Sequence, residues 1–197
     1  MNDKVKVKRE RRFSAHHMLI REAKAAIAVA EAKEPGWSDR PGTAIILCAH
    51  AIEAICNAVG DRVVGDWKDF ERISPKAKVR LLCEHLKIPY DKKQEPWSTV
   101  RWLLDRRNDI AHPQPQHVEK EQVWPRDEYD SRLGEEPLSK LEEVLTLDNA
   151  KRALNATEDM KTRFAEAVPL EDRSGLDHDA WMGSAKAMNG QAKKPLT

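Results

Sequence analysis

Residues 107–112 combine two side chains that can do chemistry on an anionic group; they read Arg-Asn-Asp-Ile-Ala-His and are followed by Pro113. The guanidinium of an arginine is a planar fork that pairs with phosphate or carboxylate oxygens. Histidine titrates near neutral pH and is suited to proton transfer. This short segment therefore offers a permanent cation and a proton-transferring group close to each other.

The segment before His112 has the periodicity of an amphipathic helix. At about 100° per residue, its apolar stripe consists of Trp97, Val100, Leu103, Leu104 and Ala111. Arg107 lies in the middle of that stripe, and burying an unpaired guanidinium is costly. Arg107 therefore needs a buried acid such as Glu53, a subunit interface or an anionic ligand. Pro113 disfavours the α conformation of the preceding residue, so His112 is predicted to end the helix. The alternative to a functional role for His112 is that it only caps the helix C-terminus, where its charge is favourable with the helix dipole.

Several other segments have the periodicity or the boundary residues of helices. Ser14 and Ser74 are predicted N-caps, with Pro75 in the first turn after Ser74, and Gly60 is predicted to end the second helix. No alternating pattern of useful length predicts a strand. The sequence therefore predicts an all-α helical bundle of four to five helices. These helices are expected at about 14–33, 43–60, 74–88, 96–111 and, starting near Leu138 or near Asn149 with Thr146 or Asp148 as its cap, up to 168.

The helical domain is predicted to span residues 14–168. Residues 1–13 are predicted to be a flexible arm, because residues 4–12 hold six basic residues and one acid. Within the domain, residues 113–137 form a long proline-bearing segment, which is either a functional or a disordered loop. Residues 169–197 are polar and are predicted to be a mobile tail.

The bulk composition excludes several classes of protein. The chain has 34 Lys and Arg against 33 Asp and Glu, so a broad cationic surface is excluded and any contact with nucleic acid should be a local cleft. Without a run of 18 apolar residues, no membrane span or membrane partner is expected, and the N-terminus lacks the apolar core of a signal peptide. Three cysteines in helical patterns are predicted to be reduced core thiols of a cytoplasmic protein; they are Cys48, Cys56 and Cys83.

Other chemical motifs are weaker. His50-x-x-Glu53 on a helix has ligand types, but neither a C-x2-C pair nor H-E-x-x-H is present, so no metal and no cofactor are expected. The adjacent His16 and His17 are predicted to point to different sides of their helix. Trp97 belongs to the apolar stripe and is predicted to be in the core. Trp124, in the long loop, is the better candidate for stacking on a base.

Residues 107–112 are similar to the R-x4-H signature of the HEPN superfamily (higher eukaryotes and prokaryotes nucleotide-binding domains). Asn108 occupies the polar position that this family favours after the arginine, and the residues around it resemble the usual context. Residues 51–57, which include Glu53, resemble the acidic-residue helix of many members. The resemblance covers roughly residues 14–168.

The resemblance implies a helical bundle that forms a symmetric homodimer, in which the Arg and His of both protomers converge in one cleft. Catalytic members of the family are metal-independent endoribonucleases, often toxins or phage-defence effectors. Others have lost cleavage and bind RNA or nucleotides, or serve as dimerisation and antitoxin-partner modules.

Elementary chemistry assigns matching roles to these residues. RNA cleavage without a metal needs a base for the 2′-hydroxyl, which His112 can be, and a cation for the phosphorane charge, which Arg107 can be. Asn108 lies four residues before His112 on the same helical face and can orient the imidazole or bind phosphate. A two-fold dimer supplies a second histidine for the second proton transfer. The products would be a 2′,3′-cyclic phosphate and a 5′-hydroxyl.

We therefore expect a metal-independent endoribonuclease in a toxin or phage-defence setting, with Arg107, Asn108 and His112 as its catalytic residues. Glu53 is expected to contact Arg107 and set its position. Trp124 is expected to support the site or contact RNA. Arg106 is a supporting candidate that would add positive potential near the cleft, but a solvated surface position is the favoured expectation for it. The alternative functions are a non-catalytic module that binds RNA, a nucleotide or an antitoxin-like partner, and a defence-complex subunit that uses residues 113–137 as its contact surface.

Overall fold

The structure is a computed structural model that describes residues 5–11, 13–70, 72–112, 114–128, 137–177 and 181–187. It is mostly helical, which confirms the predicted all-α class. The long helices in these residues are α1 (Ala15–Ala32), α2 (Arg40–Val63), α3 (Pro75–His85), α4 (Trp97–Ala111) and α5 (Leu147–Ala167). Short 3-10 helices occur at Trp37–Asp39, Trp67–Phe70, Glu142–Val144 and Leu170–Asp172.

Helix α2 is the centre of the bundle, and each of the other four long helices packs against it. It is buried around much of its circumference, because Ala44, Ala51 and Ile55 are covered as well as Ile45 and Ile52. By length and a mean hydropathy of 1.6, α2 is the one helix in the described residues that could cross a membrane. The same properties are those of a core helix, and more than half of that stretch is buried inside the bundle.

The predicted helix starts are confirmed where a side chain caps the helix. Ser74 Oγ accepts a hydrogen bond from Ala77 N at 3.3 Å, at the start of α3. Thr146 Oγ1 accepts one from Asn149 N at 3.3 Å, which selects the later of the two predicted starts for the last helix. Such caps satisfy N–H groups that have no partner within the helix.

The prediction that Gly60 ends α2 is wrong, because the helix continues to Val63. The ring of Trp67 lies directly against Gly60, and a Cβ atom at this position would be 2.3 Å from the ring. The glycine therefore allows the chain that follows α2 to pack closely on the helix.

Residues 5–11, which lie in the segment predicted to be a flexible arm, form a strand. Strand β1 (Val5–Arg11) pairs antiparallel with β2 (Trp181–Ala187), in a register that places Val5 opposite Ala187. The two segments lie at opposite ends of the chain, so local periodicity could not reveal the hydrogen-bonded ladder that joins them.

Within residues 169–197, which were predicted to be a mobile tail, residues 170–177 pack on the bundle, and we call them the C-terminal segment. Leu176 is buried in the core. His16 Nε2 donates to the Leu176 carbonyl at 3.1 Å, and His17 Nε2 donates to the preceding carbonyl at 3.0 Å. Both histidines of α1 therefore reach the same segment, contrary to the prediction that they point apart. Arg62 donates to two further carbonyls there.

The three cysteines are core thiols, as predicted. Cys48, Cys56 and Cys83 are all buried and free of disulfides. Burial raises the pKa of the Cys48 and Cys83 thiols to about 12 and also raises the pKa of Cys56. Thiols that remain protonated at neutral pH are poor nucleophiles.

Candidate functional site

Arg107 lies on the buried side of α4, and its partner is a carboxylate of α2. Arg107 Nη2 is 3.1 Å from Glu53 Oε2, and the two side chains are 29% and 24% exposed. The sequence leaves open an acid, a subunit interface or an anionic ligand as the partner of this arginine. The single chain already supplies the acid, and Glu53 contacts Arg107 as expected.

Glu53 has a second cationic partner, Lys78 of α3, which the sequence analysis missed. Lys78 Nζ is 3.2 Å from Glu53 Oε1 and 3.0 Å from Asn57 Oδ1, and the Lys78 side chain is 1% exposed. A signal was available, because Lys78 precedes Leu82 by four residues and so falls on the apolar face of α3. We call Glu53, Lys78 and Arg107 the buried ion network, since one carboxylate joins three helices.

The buried ion network contains two cations and one anion. Within the described residues, Arg107 Nε is buried without a hydrogen-bond partner. An excess positive charge in a poorly hydrated site attracts anions more strongly than the same charge in water. Arg107 is also the more accessible of the two cations. An anion that binds at this network would therefore contact Arg107 rather than Lys78.

His112 ends α4, as predicted, and its side chain is exposed. Its backbone N–H donates to the Asn108 carbonyl at 3.0 Å. His112 lines an open groove of about 690 Å³, which we call the His112 groove. Its wall is formed by Arg106, Asp109, His112, Gln114, Gln116, Val118, Ser139, Lys140, Leu141 and Glu142.

Arg106 shares this groove with His112. Its Nη2 is 2.8 Å from Asp109 Oδ2, one turn later on α4. Its Nε is buried and has no hydrogen-bond partner among the described residues. The Arg106 side chain is 27% exposed and Arg106 lines the groove, so it is not the fully solvated surface residue that was expected. Among the described residues of one chain, Arg106 is the arginine that lines the same groove as His112.

The structure separates Arg107 from the His112 groove. The two positions are five residues apart, which places them about 140° apart around a helix axis. Arg107 consequently faces α2, whereas His112 faces the groove. Asn108 is exposed one turn before His112. Trp124 is half-buried and is not part of the groove wall. Pro113, which was expected to end the helix at His112, lies outside the described residues.

The metal alternative at His50-x-x-Glu53 has no geometric support. His50 is exposed, Cys48 is buried and Glu53 is bound to the two cations. In the part of the chain that the structure describes, no group of three or more His, Cys, Asp or Glu side chains could hold a metal ion.

Comparison of the chain with known proteins found no relative. No protein-family model matches the chain, and neither the curated proteins nor the solved structures contain a match. The resemblance to HEPN domains therefore rests on residues 107–112, on Glu53 and its neighbours in α2 and on the helical bundle.

Proposed function

We propose that this protein is a metal-independent endoribonuclease of the HEPN type, with an active site shared by two copies of the chain. The proposal rests on the arrangement of side chains on the last two turns of α4. These turns present an exposed histidine, His112, that lines an open groove whose wall also contains Arg106. On the inner side of the same turns, Arg107 belongs to a network with an excess positive charge.

In the proposed reaction, His112 takes the proton of a ribose 2′-hydroxyl. The 2′-oxygen then forms a bond to the adjacent phosphorus, and the bond from phosphorus to the 5′-oxygen breaks. The leaving oxygen takes a proton from His112 of the partner subunit. This sequence leaves a 2′,3′-cyclic phosphate and a 5′-hydroxyl, and it needs two proton-transferring groups, of which one chain supplies one at this place.

Arginine supplies the charge stabilisation in this proposal. The phosphorane-like transition state gains negative charge on its non-bridging oxygens, which a fixed guanidinium stabilises better than water does. Glu53 holds Arg107 in place before substrate binds. Arg106 contributes a second guanidinium from the groove wall. Because Arg107 and His112 point in different directions in one chain, the dimer must bring Arg107 of one copy towards His112 of the other.

The biological setting is part of the proposal. The chain has a formal net charge of +1, so it has little general attraction for RNA. Such a ribonuclease is expected to act on a narrow set of RNAs or under the control of a partner. A cytoplasmic toxin with an antitoxin, or a phage-defence effector, fits that expectation.

The test is cleavage of RNA by the purified full-length protein in EDTA, with mapping of the product ends. The wild type should leave 2′,3′-cyclic phosphates, and His112→Ala should lose about 1,000-fold in rate, as expected for loss of a general base. His117→Ala is the matched control, because His117 is 91% exposed on the segment that follows α4; it should retain full activity.

Three results would contradict the proposal. Cleavage that survives in His112→Ala would show that His112 is not the base. Cleavage that strictly requires a metal ion would contradict the metal-independent mechanism. A monomer at micromolar concentration, seen by light scattering on the active protein, would remove the shared site.

A second candidate is a non-catalytic HEPN module that binds RNA, a nucleotide or a partner protein. The observation that favours it is the pairing of Arg107 with Glu53, which leaves less of the guanidinium for a transition state. This candidate predicts RNA binding without any cleavage by the wild type under the conditions above.

A further inference from the structure

A second groove, of about 720 Å³, lies between α3 and α4, and the proposed reaction does not use it. We call it the α3–α4 groove. Its basic side chains come from both helices and from the connection between them. They are Lys76, Arg80, Lys92 and Arg101, and the acids in its wall are Glu84 and Asp91.

The positive charge in this groove is largely available. Within the described residues, Arg80, Lys92 and Arg101 make no ion pair, whereas Lys76 is paired with Asp105 of α4. The hydrogen bonds from Lys93 N and Gln94 Nε2 to the two carboxylate oxygens of Asp91 come from uncharged donors and do not neutralise it. The groove wall therefore holds four basic side chains against two acidic ones, Glu84 and Asp91. Since the whole chain is nearly neutral, this is the kind of local basic cleft that a narrow contact with a polyanion requires.

An aromatic ring lies among these cations. Tyr90 is half-buried in the wall of the groove, and its ring centroid is 5.5 Å from that of Trp97, which is in the core. A ring supported from behind in this way can offer its accessible surface to a base. Basic side chains that follow a backbone, combined with an aromatic surface, are the features that bind single-stranded nucleic acid, whose bases are unstacked and accessible.

The groove and His112 lie on the same face of α4. Arg101, Asp105, Asn108 and His112 follow one another at intervals of four, three and four residues, which keeps them on one side of a helix. From Arg101 to His112 this face is about 16 Å long at 1.5 Å per residue. A short single strand can follow it from one groove to the other.

We infer that the α3–α4 groove binds the phosphate backbone of single-stranded RNA and leads the strand along α4 to His112. Arg80 and Arg101 contact phosphates, and Tyr90 stacks on a base. The identification of the polymer as RNA rests on the proposed function. The affinity of the groove for a single strand does not depend on cleavage.

The first experiment measures binding of a fluorescein-labelled oligouridine, about 12 nucleotides long, by anisotropy at several salt concentrations. All proteins carry His112→Ala so that no RNA is cut. Arg80→Glu/Arg101→Glu should weaken binding at least tenfold. It should also lower the slope of log affinity against log salt by about 1.4, which corresponds to two phosphate contacts on a single strand.

The matched control is Arg21→Glu/Arg40→Glu, which changes the net charge equally at exposed positions outside the groove. It should leave the salt slope unchanged. Circular dichroism reports whether each protein is folded. If the charge reversal unfolds the chain, Arg80→Gln/Arg101→Gln replaces it and should still lower the slope. An unchanged affinity and slope in the folded groove variant would overturn the inference.

A second arm tests whether the occupant is instead an acidic peptide. Tyr90→Leu should weaken oligouridine binding about tenfold through loss of stacking, whereas Tyr90→Phe should retain it. If oligoglutamate of the same charge binds as tightly as oligouridine, and Tyr90→Leu weakens neither, the groove is a protein-binding site and the assignment to RNA is wrong.

A third arm separates this inference from the proposed function. With His112 intact, Arg80→Glu/Arg101→Glu should raise KM for a short RNA at least tenfold and leave kcat nearly unchanged. Unchanged kcat/KM in this variant would overturn the inference while the ribonuclease proposal stands. Binding through the groove by a wild type that cuts no RNA would overturn the ribonuclease proposal while the inference stands.

Discussion

Arg107 and His112 belong to one helix and one sequence motif, yet the protein holds them in opposite ways. Arg107 is fixed by a carboxylate that also binds the buried Lys78, so three helices determine where its guanidinium lies. His112 is exposed at the end of α4 and is fixed mainly through its backbone N–H. The arginine is thus part of the bundle, while the histidine is part of the surface.

Because the two residues are held differently, substitutions can separate the effect of the motif on stability from its effect on function. Substitutions in the buried ion network should act chiefly on the stability of the protein, because they leave charges in a poorly hydrated place. Substitutions at His112 should act chiefly on function, because nothing in the core depends on its side chain. The following predictions test this contrast, beginning with the largest expected effect on stability.

Glu53→Gln should destabilise the protein by about 3–5 kcal/mol, the usual cost of removing one partner of a buried ion pair. It leaves the charge of Lys78, whose side chain is 1% exposed, without a counter-ion and next to Arg107. Urea unfolding followed by circular dichroism measures the change. Lys78→Met added to Glu53→Gln should recover much of the loss, since no buried lysine remains.

Asp105→Asn is the matched control for this experiment. Asp105 also pairs with a lysine of α3, Lys76, but both side chains are substantially exposed. Exposed pairs contribute at most about 1 kcal/mol, so this variant should be nearly as stable as the wild type. Equal losses in Glu53→Gln and Asp105→Asn would show that the network is not energetically buried.

A second prediction compares the buried His16 with exposed histidines in their effect on the pH dependence of stability. Burial is the largest of several causes that lower the pKa of His16 to about 4 from 6.5, and the positive charges of His17, Lys161 and Arg62 act in the same direction. The carbonyl bonded to Nε2 acts against them. The unfolded chain therefore binds more protons than the folded chain between these two pH values.

The free energy of unfolding should consequently fall as the pH decreases from about 6.5 to 4, by up to about 3 kcal/mol from His16. Above pH 6.5 the contribution is complete, because the imidazole is neutral in both states. His16→Phe should remove this part of the pH dependence, although it loses the hydrogen bond to Leu176. His50→Gln, at an exposed position, should retain it. Parallel pH profiles of wild type and His16→Phe would contradict the assignment.

His112→Ala should have the smallest effect on stability, within about 0.5 kcal/mol of the wild type, as is usual for surface substitutions. The same protein is the one expected to lose cleavage. Thermal unfolding of His112→Ala and His117→Ala under identical conditions checks the first point. A loss of several kcal/mol in His112→Ala would place the histidine in the structural part of the molecule and make its effect on activity uninterpretable.

The helices were largely predictable because their signals are local. Ser74 and Thr146 cap helices with their side chains, and the predicted apolar stripe of α4 from Trp97 to Leu104 is buried, together with Thr99. The end of that stripe was not predictable, since Ala111 is exposed where the helix leaves the bundle. Gly60 also misled, because a glycine that permits close packing looks the same in sequence as one that ends a helix.

The site could be predicted in part. The position of Arg107 on an apolar face indicated a buried charge, and Glu53 was the expected acid. The same reasoning applied to α3 would have found Lys78. Arg106 was a supporting candidate because it neighbours Arg107 in the sequence. The groove that it lines together with His112 could not be predicted, because it depends on how residues 114–118 and 139–142 return to the end of α4.

By itself, the sequence determined that the chain forms helices, where most of them begin, which faces are buried and that an arginine lies on a buried face. All of these follow from side chains within a few turns of each other. Only the tertiary structure decided the partner of Arg107, the burial of Lys78, the pairing of β1 with β2 and the attachment of residues 170–177 to His16. Each of these joins groups that are distant in the chain, and it is their common burial that fixes the charges and hydrogen bonds between them.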